Sequence, residues 1–182
     1  MKKKYSLNFC ILLLLVALCG CDSRTEDVKI MHNTVENVVK TLENRYQIQK
    51  MGFGEGGDKK FYKSISLSFI VLRVLSKNEG RKMLIRCAEE LLKAINSNEQ
   101  LLPYLLPSPF SITNIEMTLF IYHPDGKEAL YPNISIFTVR NGKVMYKTDT
   151  PELKNKYGYF TEEEESYDEA VKIVQSQLQG SN

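Results

Sequence analysis

Histidine is almost missing from this chain: 182 residues contain two, His32 and His123. No cysteines stand at metal-ligand spacing either, so a His-rich or thiolate metal site within one chain is excluded. Cysteine is sparse as well, with four residues at positions 10, 19, 21 and 87. Cys10 and Cys19 fall within the leader segment and Cys21 stands at its boundary, where it would be modified, which leaves Cys87 as the one free thiol of the mature domain. No intramolecular disulfide can form there, and the domain must be held by its core. Charge of one sign is also lacking. Removing Lys2, Lys3 and Lys4 from the 24 basic residues leaves 21 against 22 acidic ones, a net of −1 from Cys21 onward. A nucleic-acid partner would ask for a concentrated basic face, so that class is excluded. What remains is ordinary: 43% apolar, 25% charged and 10% aromatic residues. These fractions fit one globular domain and rule out disordered, collagen-like or disulfide-stapled chains.

The leader reads MKKKYSLNFCILLLLVALCGC. Three lysines precede Phe9–Leu18, an apolar run half the length of the roughly 20 residues that span a bilayer. A short apolar run behind a basic start is the layout of a signal peptide. Its end, Leu18-Cys19-Gly20-Cys21, resembles the lipobox of bacterial lipoproteins, Leu-x-Gly/Ala-Cys. It departs from that pattern at Cys19, where the family prefers Ala, Ser, Thr or Val. The resemblance implies residues 1–20 as a lipoprotein signal peptide and residues 21–182 as the mature domain. It further implies a diacylglyceryl group on the Cys21 thiol, cleavage between Gly20 and Cys21, and acylation of the new amine. Palmitate would be among the attached chains. Membrane lipid, through Cys21, is then the first partner, and the bacterial cell membrane, facing periplasm or exterior, is the expected location. Asp22 beside the lipidated cysteine tilts the expectation toward the inner membrane.

Along the mature chain, Ser23-Arg24-Thr25-Glu26 fits a capping box. Val28, Met31, Val35, Val38 and Leu42 follow at helical spacing, predicting a first helix that runs to about Lys50. Residues 52–58, GFGEGGD, read as a flexible loop. Ile65, Leu67, Phe69 and Val71 alternate with serines, predicting a strand within Phe61–Val74. A second helix is expected after Asn78, with Leu84, Cys87, Ala88, Leu91 and Ile95 on one face. Strands follow around Ile115–Ile121, Ile134–Arg140 and Lys143–Thr148, the last two joined by Asn141-Gly142, a strong hairpin signal. That two-residue loop pairs Val139 with Val144 and Phe137 with Tyr146. Thr161-Glu162-Glu163-Glu164 gives a further capping box before a third helix carrying Tyr167, Ala170, Val171, Val174 and Leu178. The prediction is a single α+β domain. Its antiparallel sheet would have about four strands, one strand plus a three-stranded meander, covered by three helices.

No pattern in the chain specifies catalysis. Gly52-Phe53-Gly54-Glu55-Gly56-Gly57 matches G-x-G-x-x-G, but phosphate binding needs a strand before it and a helix after it, and the order here is reversed. There is no G-x-S-x-G, and Cys87 on an apolar stripe reads as an inert buried thiol. No cofactor is implied. His123 beside Asp125 leaves a membrane-bound hydrolase or transferase with a carboxylate/His site as one alternative. A structural spacer dimerising through the first helix is another.

The leading expectation is a membrane-anchored binding module. Its candidate contacts are the glycines Gly54, Gly56 and Gly57 and the stiff segment Tyr104–Phe110, in which Pro103, Pro107 and Pro109 hold Tyr104 and Phe110. The partner class is an envelope protein or a ligand. Gly54–Gly57, Arg81, Asn96-x-Asn98-Glu99, Pro103-Tyr104-Leu105, Pro109-Phe110 and Asn114-Ile115 resemble small envelope or secreted proteins of obligate intracellular bacteria. That group carries no assigned activity, and the resemblance implies no further site.

Overall fold

The computed structural model describes residues 26–58, 60–152 and 158–179. The leader, Cys21, Asp22 and the Ser23 cap lie outside the described residues. Helix α1 (Glu26–Tyr46) leads into strands β1 (Gln49–Gly57) and β2 (Tyr62–Val71), and helix α2 (Lys77–Asn96) follows. Two short 3₁₀ turns, Leu102–Tyr104 and Ile112–Asn114, precede β3 (Ile115–Ile121), β4 (Ile136–Arg140), β5 (Lys143–Thr148) and β6 (Thr161–Ser166). Helix α3 (Tyr167–Gln179) ends the described chain. The class is α+β in a single domain, as the sequence predicts. The sheet is larger and differently wired: six strands in the order β1-β2-β3-β4-β5-β6, rather than four antiparallel ones.

Three differences account for the change, each with a physical cause. The first is that residues 52–58 are not a loop. Glycine disfavours strands in isolation, yet Gly52, Gly54 and Gly56 recur at period two and stand opposite Ser68, Ser66 and Ser64. A β-carbon on Gly54 would lie 2.6 Å from the Ser66 hydroxyl, and one on Gly56 would lie 2.2 Å from that of Ser64. The serine side chains fill the space the glycines leave, and cross-strand pairing overrides propensity.

The second difference is that β2 and β3 run parallel, with Ile65 opposite Ile115 and Val71 opposite Ile121. A parallel pair needs a long crossover, and α2 supplies it. The third is that Glu162–Glu165 do not open a helix but form most of β6. Each glutamate meets a cation: Glu162 with Lys147, Glu163 with Lys77, Glu164 with Lys143 and Glu165 with Arg81. The capping box sits five residues later, where Ser166 and Glu169 exchange hydrogen bonds at the start of α3.

Other elements follow the sequence closely. Ser76, not Asn78, caps α2, in a reciprocal box with Glu79. Asn141 and Gly142 adopt positive φ angles of 51° and 72°, which suit the two-residue hairpin. The register pairs Phe137 with Tyr146 and Val139 with Val144. The Phe137 and Tyr146 rings meet edge to face at 5.7 Å.

All three helices lie on one face of the sheet. Helix α2 rests over β3 and β4, α1 flanks it beside β1, and α3 flanks it beside β5 and β6. Met31, Val35, Val38 and Leu42 of α1 are buried in that interface. The apolar stripe that a dimer seam would use is therefore engaged within the chain. Leu67, Phe69, Met117, Leu119, Phe137, Val139, Val144 and Tyr146 supply the sheet's side of the core.

Candidate functional site

Because the strands alternate, the register also fixes what the opposite face of the sheet carries. No helix covers it. One row across the strands reads Ile70, Phe120, Ile136, Lys147, Glu162. The next reads Gly52, Ser68, Thr118, Thr138, Met145, Glu164, with the Thr118 and Thr138 hydroxyls 2.9 Å apart. The third holds Gly54, Ser66 and Glu116, and Arg140 reaches Glu116 at 3.6 Å. The charged side chains of these rows are matched within the face: Glu116 with Arg140, Lys143 with Glu164, Lys147 with Glu162.

The face therefore grades from glycine and hydroxyl groups to an apolar end. At that end Met51, pushed out by a β-bulge, joins Phe120, Tyr122, Leu130, Ile136 and Tyr159 around a cleft of ≈ 300 Å³ that Glu128 and Asp149 also line. A second, shallower cleft adjoins it under the 122–133 loop and is lined by Tyr122, His123, Lys127, Glu128, Tyr131 and Asn133. Backbone hydrogen bonds fix the walls. Tyr122 donates to Val71 at 2.9 Å, Ser135 to Lys147 at 2.8 Å, Tyr131 to Asp149 at 2.8 Å and Phe160 to Thr148 at 3.0 Å. Rings stand at the rim, with Tyr131 60% and Phe160 51% exposed and their centroids 5.0 Å apart. Met51, at 53% exposure, completes an apolar rim far more open than a core would allow.

The clefts lie at one end of the domain, and α1 says which. Tyr62 at the start of β2 donates to Asp27 in the first turn of α1 at 3.0 Å. Arg73, just past β2, donates to the carbonyl of Tyr46 at the other end of the helix. The clefts sit where β2 and β3 end, beside the C-terminus of α1. The 21 residues of α1 put that end about 30 Å from its N-terminus.

The residues singled out from the sequence separate in space. Gly54 and Gly56 lie on the uncovered face at its edge strand, and Gly57 sits at the hairpin end with φ 157°. Phe110 is a core residue, 3% exposed, clasped by Asn96 through two backbone hydrogen bonds. Tyr104 is half-exposed beside Tyr62, at the α1 N-terminal end. Cys87 is buried, and burial pushes its thiol up to about 12. His123 lines the shallow cleft, but Asp125 is turned to Lys127, which bonds its carboxylate through both side chain and backbone. Those bonds hold Asp125 below the usual carboxylate range, which suits a turn residue rather than a general base. Among the described residues no cluster of His, Cys, Asp and Glu could hold a metal ion. No helix among them is long and apolar enough to cross a membrane.

Sequence reasoning missed the uncovered face because its residues come from all six strands, two of which it did not predict. The signal available was the pair of period-two runs, Gly-x-Gly-x-Gly and Ser-x-Ser-x-Ser, which face each other across β1 and β2. Comparison of the chain with protein-family models, with curated proteins and with solved structures found no match in any of the three.

Proposed function

We propose that this protein is a lipid-anchored envelope protein that works by binding, and that its binding surface is the aromatic end of the uncovered sheet face. The observation that carries the reading is the group Met51, Phe120, Tyr131, Tyr159 and Phe160, rigidly framed and open to solvent at one end of the domain. Exposed aromatic and methionine side chains of this kind are enriched at protein interfaces. The clefts are too open to enclose a small molecule, which usually loses most of its surface on binding. A protein segment is the better fit.

Charge narrows the partner. The charged side chains of the three rows pair with one another, and the cleft itself adds two carboxylates, Glu128 and Asp149, to its apolar lining. The occupant is a segment of an envelope protein with aliphatic or aromatic side chains for the cleft and no carboxylate to set against Glu128 and Asp149. Lipid on Cys21 would hold the module at the membrane, with two or three acyl chains making a long-lived anchor.

Two measurements test the reading. Radiolabelled palmitate should enter the protein, and Cys21→Ser should abolish the label; equal labelling of the variant would remove the anchor. Cross-linking in cells, followed by detergent purification, should recover one stoichiometric envelope protein with the native chain. The Tyr131→Ala/Phe160→Ala variant should lose it while keeping its circular dichroism. Undiminished recovery with that variant would move the binding surface elsewhere.

A further inference from the structure

The opposite end of the domain carries its own apolar surface. Tyr104 is 36% and Leu106 47% exposed, and Pro103 and Pro107 beside them are exposed too. The backbone amide of Leu106 donates to the carbonyl of Tyr62 at 2.8 Å, which fixes this turn against the start of β2. Phe61 lies next along the chain, with the Lys60 ammonium over its ring at 5.0 Å. Lys63 is also exposed and pairs with Asp58 at 3.1 Å. Tyr62 ties the same spot to Asp27, in the first turn of α1.

Position gives this surface its meaning. Cys21 precedes Glu26, the first residue of α1, by five residues, a reach of at most about 18 Å. We infer that the turn at 103–107, together with Phe61 and Lys60, is seated against the bilayer, with Tyr104 and Leu106 at the level of the lipid headgroups. The inference rests on the lipid anchor proposed above. Tyrosine suits this depth because its ring is apolar and its hydroxyl stays wet, while a lysine stem can lie along the surface with its ammonium in water. Of the acidic groups nearby, Asp58 is paired with Lys63 and Asp27 accepts from Tyr62, while Glu26 in the first turn of α1 stays exposed and disfavours a strongly anionic surface. Apolar contact, rather than attraction to anionic lipid, would supply the adhesion. Seated this way, the domain stands with α1 rising from the membrane and its aromatic clefts turned outward, about 30 Å above the headgroups.

The chain has no tryptophan, so one introduced indole reports without background. The full lipoprotein would be reconstituted in phosphatidylethanolamine/phosphatidylglycerol vesicles with and without brominated acyl chains. Tyr104→Trp and Leu106→Trp should each be quenched several-fold more strongly by the brominated lipid than Tyr131→Trp. Equal quenching at both ends, no quenching at 104 and 106, or stronger quenching at 131 would overturn the seating. Mass measurement of the same samples separates the two claims. A chain without acyl groups on Cys21 defeats the anchor and the seating together. An acylated chain with unquenched reporters at 104 and 106 defeats the seating alone.

Discussion

The Arg81 guanidinium donates to the Glu165 carboxylate at 2.7 Å and joins the first turns of α2 to the edge strand β6. The pair is shut away from water, with the Arg81 side chain 6% and that of Glu165 17% exposed. Tyr146 closes the group from the sheet, accepting from Arg81 at 2.9 Å and donating to Glu165. Asn78 accepts a further arginine N–H at 2.7 Å. Nothing in the group is left without a partner.

Removing one member of such a pair strands the other. Glu165→Ala should therefore lower unfolding stability by about 3–5 kcal/mol. Glu164→Ala, in the same strand and paired with Lys143 in solvent, should lower it by at most about 1 kcal/mol. Denaturant unfolding of the two variants checks the contrast, and equal losses would mean that Arg81 is satisfied in some other way.

Gly80 sits buried in α2 against the Phe137 ring, where a β-carbon would come within 2.1 Å of the ring edge. Two effects compete in Gly80→Ala. Helix propensity favours alanine by about 1 kcal/mol, while overpacking a tight core costs roughly 1–3 kcal/mol. Since α2 packs directly on β4 at this point, the clash should win and the variant should be less stable. Phe137→Leu in the same chain should recover part of the loss. A more stable single variant would show that α2 can shift off the sheet.

High pH should unfold the domain. Burial, foremost, raises the phenol pKa values of Tyr62, Tyr146 and Tyr167; hydrogen bonds to Asp27 and Glu165 add to the first two, and the charge of Glu89 to the third. A raised folded-state pKa means that the folded chain keeps protons the unfolded chain releases. Their contribution is thus complete below the unfolded tyrosine value, about 10, and is lost as pH rises beyond it. Denaturation midpoints should be level through neutral pH and fall above about 10. A midpoint that does not fall above about 10 would contradict the assignment.

The elements legible in the sequence were those whose own residues carry the pattern. The α1 stripe from Met31 to Leu42, the alternation from Ile65 to Val71 and the Asn141-Gly142 turn each state their structure locally. Strands β1 and β6 do not. Gly52–Gly57 has almost no side chains to show a period, and it becomes a strand only against Ser64–Ser68. Glu162–Glu165 mimics a helix start, and it extends only because Lys77, Arg81, Lys143 and Lys147 lie where four carboxylates need them. The clefts were hidden for a related reason. Met51, Phe120, Tyr131 and Tyr159 lie far apart in the chain and meet only once the sheet has its six strands.

One experiment reaches the central claim, that the domain meets a protein partner at the end away from its anchor. A photo-reactive phenylalanine analogue would replace Tyr131 in one version of the lipoprotein and Tyr104 in another, with irradiation in living cells. The account predicts one discrete protein adduct from position 131 and none from position 104. An adduct from 104 with none from 131 would contradict it, and would place the binding surface at the end assigned to the bilayer.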